Sequence, residues 1–295
     1  MAGARYQEPC TASVAGVKIR VGVGTHGSSS SGQVLHSLAS RLEDLGFDSI
    51  WLPDVLAAPV DDPLTALAFV AASVRRLKLG VTLVLPGRNP VRLARQLATV
   101  DRLSGGRLLV TTVVGLRRRR ELAAMGVEAG EREQQMDELL PRLRQIWRHD
   151  EVTPLQDPFD LWVGGTSAGA LRRAGLLSDG WLPSMCTPDE AADGRRHIEE
   201  HAEAAGRRID PEHFGVSIGY LRNSERPDLL GRLAARRPGV DMAEVVPVGL
   251  DALRALMERY VDGGLSKFVV RPIEPPASWD DELEELAQAV LPLQG

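Results

Sequence analysis

Cysteine is nearly missing from this chain. Its two residues, Cys10 and Cys186 among 295, are too few and too far apart for a disulfide framework or a cysteine-built metal site, which fits a reducing compartment. Lysine is almost as scarce: Lys18, Lys78 and Lys267 are the only three among 35 basic residues, and the other 32 are arginine. No physical requirement accounts for that bias, which is read as the mark of a GC-rich genome. Also lacking is any run of about 18 apolar residues. The opening MAGARYQEPCTASVAG has no apolar core of a secretory signal, so a cytoplasmic chain without a membrane partner is expected. Positive charge is not in excess, and a formal net charge of −5 argues against a general nucleic-acid binder.

What is present is an ordinary globular balance, 43% hydrophobic and 25% charged, which excludes wholesale disorder. Past a leader of about sixteen residues, expected to be poorly ordered, short apolar runs alternate with amphipathic stretches to the end. That is the pattern of a parallel sheet with crossover helices. Strands are expected over Ile19 to Thr25, Ser49 to Pro53, Leu77 to Leu85, Arg107 to Val114, Asp160 to Gly164, Gly180 to Ser184, Phe214 to Leu221 and Lys267 to Arg271. Asp62-Pro63 and Asn89-Pro90 each place a capping acceptor before a proline at the first helical position. Thr187-Pro-Asp-Glu190 has capping-box spacing, and Ser278-Trp-Asp-Asp281 opens the last helix in a similar way. Leu250, Leu253, Leu256, Met257 and Tyr260 recur at helical spacing. Eight such units without a Gly/Ser linker or a shift in composition predict one (β/α)8 TIM barrel over residues 17 to 295. An insertion after strand 4, Leu116 to Asp157, carries a long helix from Glu131 to Arg148. The alternative is an open doubly wound sheet.

Gly22-Val-Gly24-Thr-His-Gly27 matches a dinucleotide fingerprint directly after the first strand. Its context is wrong, because Ser28 to Gly32 intervenes before any helical periodicity and the acid expected about 20 residues on falls before the second strand. A glycine-rich loop at a barrel rim is the reading adopted. Gly164-Gly165-Thr166-Ser167 is different: two glycines end a strand and a Thr/Ser pair opens a helix, so amides, hydroxyls and helix dipole converge where an anion would sit. A plain tight turn is the alternative.

Two groups of segments resemble the bacterial luciferase-like flavin and deazaflavin oxidoreductase family. The first comprises Leu45-Gly-Phe-Asp-Ser-Ile-Trp-Leu-Pro-Asp54, Leu79-Gly-Val-Thr-Leu-Val-Leu-Pro86, Asn89-Pro-Val-Arg-Leu-Ala-Arg-Gln96 and Asp101-Arg-Leu-Ser-Gly-Gly-Arg107. The second comprises Leu161-Trp-Val-Gly-Gly-Thr-Ser167, Leu171-Arg-Arg-Ala174 and Asp179-Gly-Trp181. Within the family the sequence looks most like coenzyme F420-dependent oxidoreductases. The arginine bias points the same way, since actinobacteria often make that coenzyme.

The resemblance implies a cofactor at the C-terminal mouth of the strands, with its phosphate at Gly164, Gly165, Thr166 and Ser167. It places Thr82 and Leu83 where the family tends to carry a non-prolyl cis peptide behind the ring. Arg88, Trp181 and Ser184 are further candidate cofactor contacts. Asp54 stands where the family commonly has Asp-His, but Val55 follows it, so the family's acid/base histidine is missing. His26 is the candidate replacement. Strand 4 keeps only Gly115 of the family's glycines, and Arg117 to Arg120 follow as candidates for an acidic substrate or the polyglutamate tail of a deazaflavin, with a solvated cluster on the insertion as the alternative. No metal is expected. The implied activity is hydride transfer between F420 and a small organic substrate, with an FMN-dependent monooxygenase and a non-catalytic barrel as alternatives. A homodimer is also implied.

Overall fold

The computed structural model describes residues 17–25, 31–149, 152–223, 227–235 and 237–295. The leader and His26 lie outside them. Each expected strand is present, and ten helices stand among the described residues. The chain runs β1 (Arg20–Gly24), α1 (Gly32–Leu45), β2 (Ser49–Pro53), α2 (Pro63–Ala71), β3 (Lys78–Val84), α3 (Pro90–Leu103) and β4 (Leu108–Val113). It continues through α4 (Arg119–Met125), α5 (Arg132–Trp147), β5 (Leu161–Val163), α6 (Ala168–Leu177), β6 (Gly180–Trp181) and α7 (Pro188–Ala204). The last units are β7 (Gly215–Tyr220), α8 (Pro227–Ala234), α9 (Leu250–Asp262), β8 (Lys267–Pro272) and α10 (Trp279–Val290).

The helix starts follow the capping chemistry. Asp62 accepts from the Thr65 amide at 2.8 Å and Asn89 from the Arg92 amide at 3.0 Å. Thr187 and Glu190 complete a reciprocal capping box. Gly105 and Gly106, at φ 69° and 79°, stop α3 and turn the chain into β4, a backbone conformation that side chains resist. The insertion's long helix is α5.

All strand pairs are parallel, in the order β6-β5-β4-β3-β2-β1-β8-β7. Parallel bridges Trp181↔Phe214 and Ser184↔Ser217 join β6 to the β7 strand and bring the two ends of the sheet together. The open doubly wound alternative is therefore replaced by a barrel. Following the register once around returns to β1 roughly eight residues lower, the shear of this barrel class.

Side chains alternate between the two faces of each strand. Outward residues such as Val21, Val23, Ile50, Leu79, Val81, Leu83 and Trp181 join the main core under the helices. Inward residues form a separate cluster of Trp51, Trp162, Leu182 and Val269, with Leu109 against it. Register and pleat arrange the interior in layers of four from alternate strands. Gly22, Gly80, Trp162 and Gly215 lie lowest of those that concern the site, then Trp51, Thr111, Leu182 and Val269. Above them come Gly24, Thr82, Gly164 and Ser217, and Val113, Ser184 and Arg271 stand at the rim.

The two tryptophans plug the barrel, and glycines make room for them. A Cβ on Gly80 would lie 2.1 Å from the Trp51 ring, and one on Gly180 would lie 2.4 Å from the Trp162 ring. Gly22 serves the same packing, with a Cβ position 3.0 Å from Trp51 Cδ1. The fingerprint's first two glycines are thus strand residues. Gly80→Ala is expected to destabilise the barrel by about 1–3 kcal/mol through overpacking. Urea unfolding measures this, and an unchanged midpoint would contradict the plug.

Candidate active site

The C-terminal ends of the strands carry the chemistry in this barrel class. Here the layer above the plug, Gly24, Thr82, Gly164 and Ser217, has little side-chain volume. Just below it the Thr111 hydroxyl is buried without a hydrogen-bond partner. Buried hydroxyls are rarely left so unless something else completes them.

The β5–α6 turn stands on one side of the mouth. Gly164 is buried at the end of β5, where a Cβ would lie 2.9 Å from Val113 Cγ1 and 3.1 Å from the Leu182 carbonyl. Gly165 follows at φ 100°, and Thr166 is exposed. The Ser167 side chain caps α6 by accepting from the Ala170 amide at 3.2 Å. Its oxygen serves the helix while its O–H stays available, so the Thr166 and Ser167 hydroxyls and the first amides of α6 are the donors free to meet an anion. Glu133 of α5 stands beside Gly169 in this first turn, its charge offset by Arg173 at 3.9 Å.

Across the mouth, Asp54 and Arg88 are brought together. The Asp54 carboxylate, 5% exposed, accepts from Arg88 Nη2 at 2.6 Å and from the Val84 amide at 3.0 Å. Arg88 also donates through Nε to the Val84 carbonyl at 2.8 Å. The pair clamps the turn after β3, so Arg88 is not an open cation awaiting a phosphate.

Thr82 and Leu83 sit in an unbroken ladder, paired with Thr111 and Thr112. Their peptide is trans, and among the described residues the cis bond is Asp157–Pro158. Pairing on both sides of β3 leaves no bulge in which the expected distortion could form. Thr82 faces the mouth, whereas Leu83, fully buried, faces the helices. Trp181 likewise turns away: its ring packs toward Gly194 of α7, and its Nε1 donates to the Gly165 carbonyl at 2.8 Å. It supports the turn instead of lining a groove. Ser184 is exposed at the rim and bridged to Ser217.

Arg117 to Arg120 are all exposed after β4. Beneath them Arg132, 4% exposed, donates to the Gly115 carbonyl at 2.7 Å and to the Val114 carbonyl at 3.3 Å, fixing the loop. Burial, and then the charge of Arg117, lower the Arg132 pKa.

Arg271 escapes notice in the sequence because it ends an apolar strand. It is part-buried and inward-facing, and burial lowers its pKa. At the opposite end of the barrel Lys267 lies 5.3 Å from the Trp162 ring, its pKa also lowered by burial. Cys186 is fully buried, which pushes its thiol up to about 12 and leaves it unreactive.

A parallel barrel with small residues at its mouth and an anion-ready turn belongs to the enzyme-bearing (β/α)8 class. The luciferase-like monooxygenase family model matches residues 16–228, and the chain belongs to that family. The structure is similar to an F420-dependent secondary alcohol dehydrogenase, with TM-score 0.78 and 15% identity over 95% of this chain and 100% of that one. It is also similar to the F420-dependent tetrahydromethanopterin reductase of Methanopyrus kandleri, with TM-score 0.73, 18% identity and coverage of 95% and 100%. A monooxygenase of Streptomyces bottropensis superposes with TM-score 0.72, 21% identity and coverage of 93% and 99%. Among the described residues no helix is long and apolar enough to cross a membrane.

Proposed function

We propose that the protein is an F420-dependent oxidoreductase that transfers a hydride between the deazaflavin and a small organic substrate. The observation that carries this reading is the mouth itself: a small-residue layer over a tryptophan plug, with an anion-ready turn at one side. Residues there fit a flat ring bearing a phosphate arm. Gly24 and Gly164 keep this layer free of side chains of their own, and a Cβ on either would crowd Arg271 at 3.2 Å or Val113 at 2.9 Å. The unpartnered Thr111 hydroxyl offers the ring's neighbourhood a polar contact.

When bound, the deazaflavin supplies two-electron chemistry and reacts poorly with oxygen; the chain supplies orientation. Thr166, Ser167 and the first amides of α6 would hold the phosphate. Thr82 on β3 would lie beside the ring, and the Asp54–Arg88 clamp fixes the turn after that strand. The plug of Trp51, Trp162, Leu182 and Val269 excludes water from beneath. His26, two residues beyond β1, is the proposed carrier of the accompanying proton.

The exposed Arg117–Arg120 cluster favours a deazaflavin with its polyglutamate tail over FMN. Coenzyme with a long tail is therefore expected to bind about tenfold or more tighter than a short-tailed form at low salt. A variant with all four arginines changed to serine should lose that preference, and fluorescence titration reads the difference. Equal affinities in the parent protein would remove this support. A second reading, a reduced-FMN monooxygenase, is supported by the Streptomyces enzyme among the similar structures. Oxygen consumption with FMNH2, and none with reduced F420, would select it.

A further inference from the structure

We propose that Arg271 takes a carboxylate of the substrate, an inference that rests on the mouth being the reaction site. Its backbone pairs β8 with Gly219 of β7, and its side chain runs along the inner wall. A Cβ built on Gly24 would lie 3.2 Å from Arg271 Cβ and 3.4 Å from Cδ, and one on Gly219 would lie 3.8 Å from Nη2. The guanidinium thus crosses the inner face of the mouth between β1 and β7. It fills space that glycines on both neighbouring strands leave open.

What marks this arginine is its lack of a partner among the described residues. Arg88 pairs with Asp54, Arg144 with Asp179 and Arg173 with Asp137. Arg107, Arg132 and Arg207 each donate to backbone carbonyls. Among the described residues Arg271 is the only part-buried arginine with no such acceptor. A desolvated cation without a counter-charge is costly. Its retention at the mouth is explained if the missing anion arrives with a ligand.

The anion's chemistry follows from what surrounds the guanidinium. The phosphate turn is on β5, three strands away in the barrel order, so the coenzyme's phosphate is already provided for elsewhere. A planar fork of donors matches a carboxylate through two parallel bonds. The hydroxyls of Ser217 and Ser184 lie along the same wall, and neither is engaged by a described residue. An acid held there would have its remaining lone pairs met. The wall formed by β3 and β4, with Val84 and Val113, offers no comparable donors and suits the apolar part of the substrate.

The test titrates matched pairs, benzoate with benzamide and butyrate with butyramide, against the protein with and without saturating F420, read by thermal shift and by the coenzyme's absorbance. Each acid is expected to bind about tenfold or more tighter than its amide. Arg271→Met should abolish that preference without lowering the melting temperature, since it removes an unpaired cation and keeps an apolar stem. If Arg271→Met does not fold, Arg271→Lys keeps the charge and loses the fork, and about tenfold weaker acid binding at unchanged coenzyme affinity is expected. No acid preference in the parent protein would overturn the proposal, as would undiminished acid binding by either variant. Loss of coenzyme affinity in the variants with acid binding intact would assign Arg271 to the ring and overturn it too. An acid preference in a protein that binds no F420 would refute the coenzyme reading and leave the Arg271 assignment standing.

Discussion

Asp54→Ala is expected to cost about 3–5 kcal/mol of folding stability and to weaken coenzyme binding with it. The carboxylate is 5% exposed and holds both the Arg88 guanidinium and the Val84 amide. Removing it strands a cation and a donor at the end of β3, and breaking such a pair from one side costs far more than the pair contributes net. Partial exposure of Arg88, at 21%, lets water recover part of the loss. The lower end of the range is therefore the expectation. Asp54→Ala combined with Arg88→Met should be less damaging than the sum of the single changes, because the stranded charge is gone. Additive losses in a urea-unfolding double-mutant cycle would show that the two residues do not act as a clamp.

The second large effect falls outside the mouth. Asp101 of α3 is fully buried. It accepts from the amides of Leu155 at 2.7 Å and Gln156 at 3.0 Å and from Gln156 Nε2 at 2.6 Å. One carboxylate thereby fastens the return of the insertion to the barrel wall. Asp101→Ala leaves three donors without their acceptor in a dry site, a loss of about 3–5 kcal/mol when charge-assisted bonds are involved. Asp101→Asn, which retains an acceptor oxygen, should recover part of it. Differential scanning calorimetry of the two variants reads the order, and equal melting temperatures for alanine and parent would contradict the assignment.

The strands were legible because most are Val, Ile, Leu or Trp runs buried on both faces, and the caps at Asp62, Asn89 and Thr187 made the helix starts mechanistic. Less legible was which neighbour on a strand faces inward. Thr82 and Leu83 are adjacent, as are Gly180 and Trp181, and a period of two sends one of each pair to the mouth or interior and the other to the helices. A motif matched as a block hides that parity. Applying that alternation within each strand separates Thr82 from Leu83 on β3 and Arg271 from Val270 on β8. The short helices α4 and α8 escaped for another reason. α4 carries a run of arginines in place of a clear apolar face. α8 is amphipathic but only eight residues long, and it packs against a satellite cluster around Leu221, Val245 and Val246. The Asp54–Arg88 pair was likewise out of reach, since two candidates read separately as ligand contacts satisfy each other only once β2 and β3 are side by side.

The central claim, that the mouth holds a deazaflavin for hydride transfer, is tested most directly by equilibrium titration of the protein with oxidised F420, in parallel with FMN. The reading predicts saturable binding of F420 in the micromolar range, FMN binding at least tenfold weaker, and loss of F420 binding when Gly165→Val strains the turn at φ 100°. No binding of F420 at tens of micromolar, or binding that Gly165→Val leaves unchanged, would contradict it.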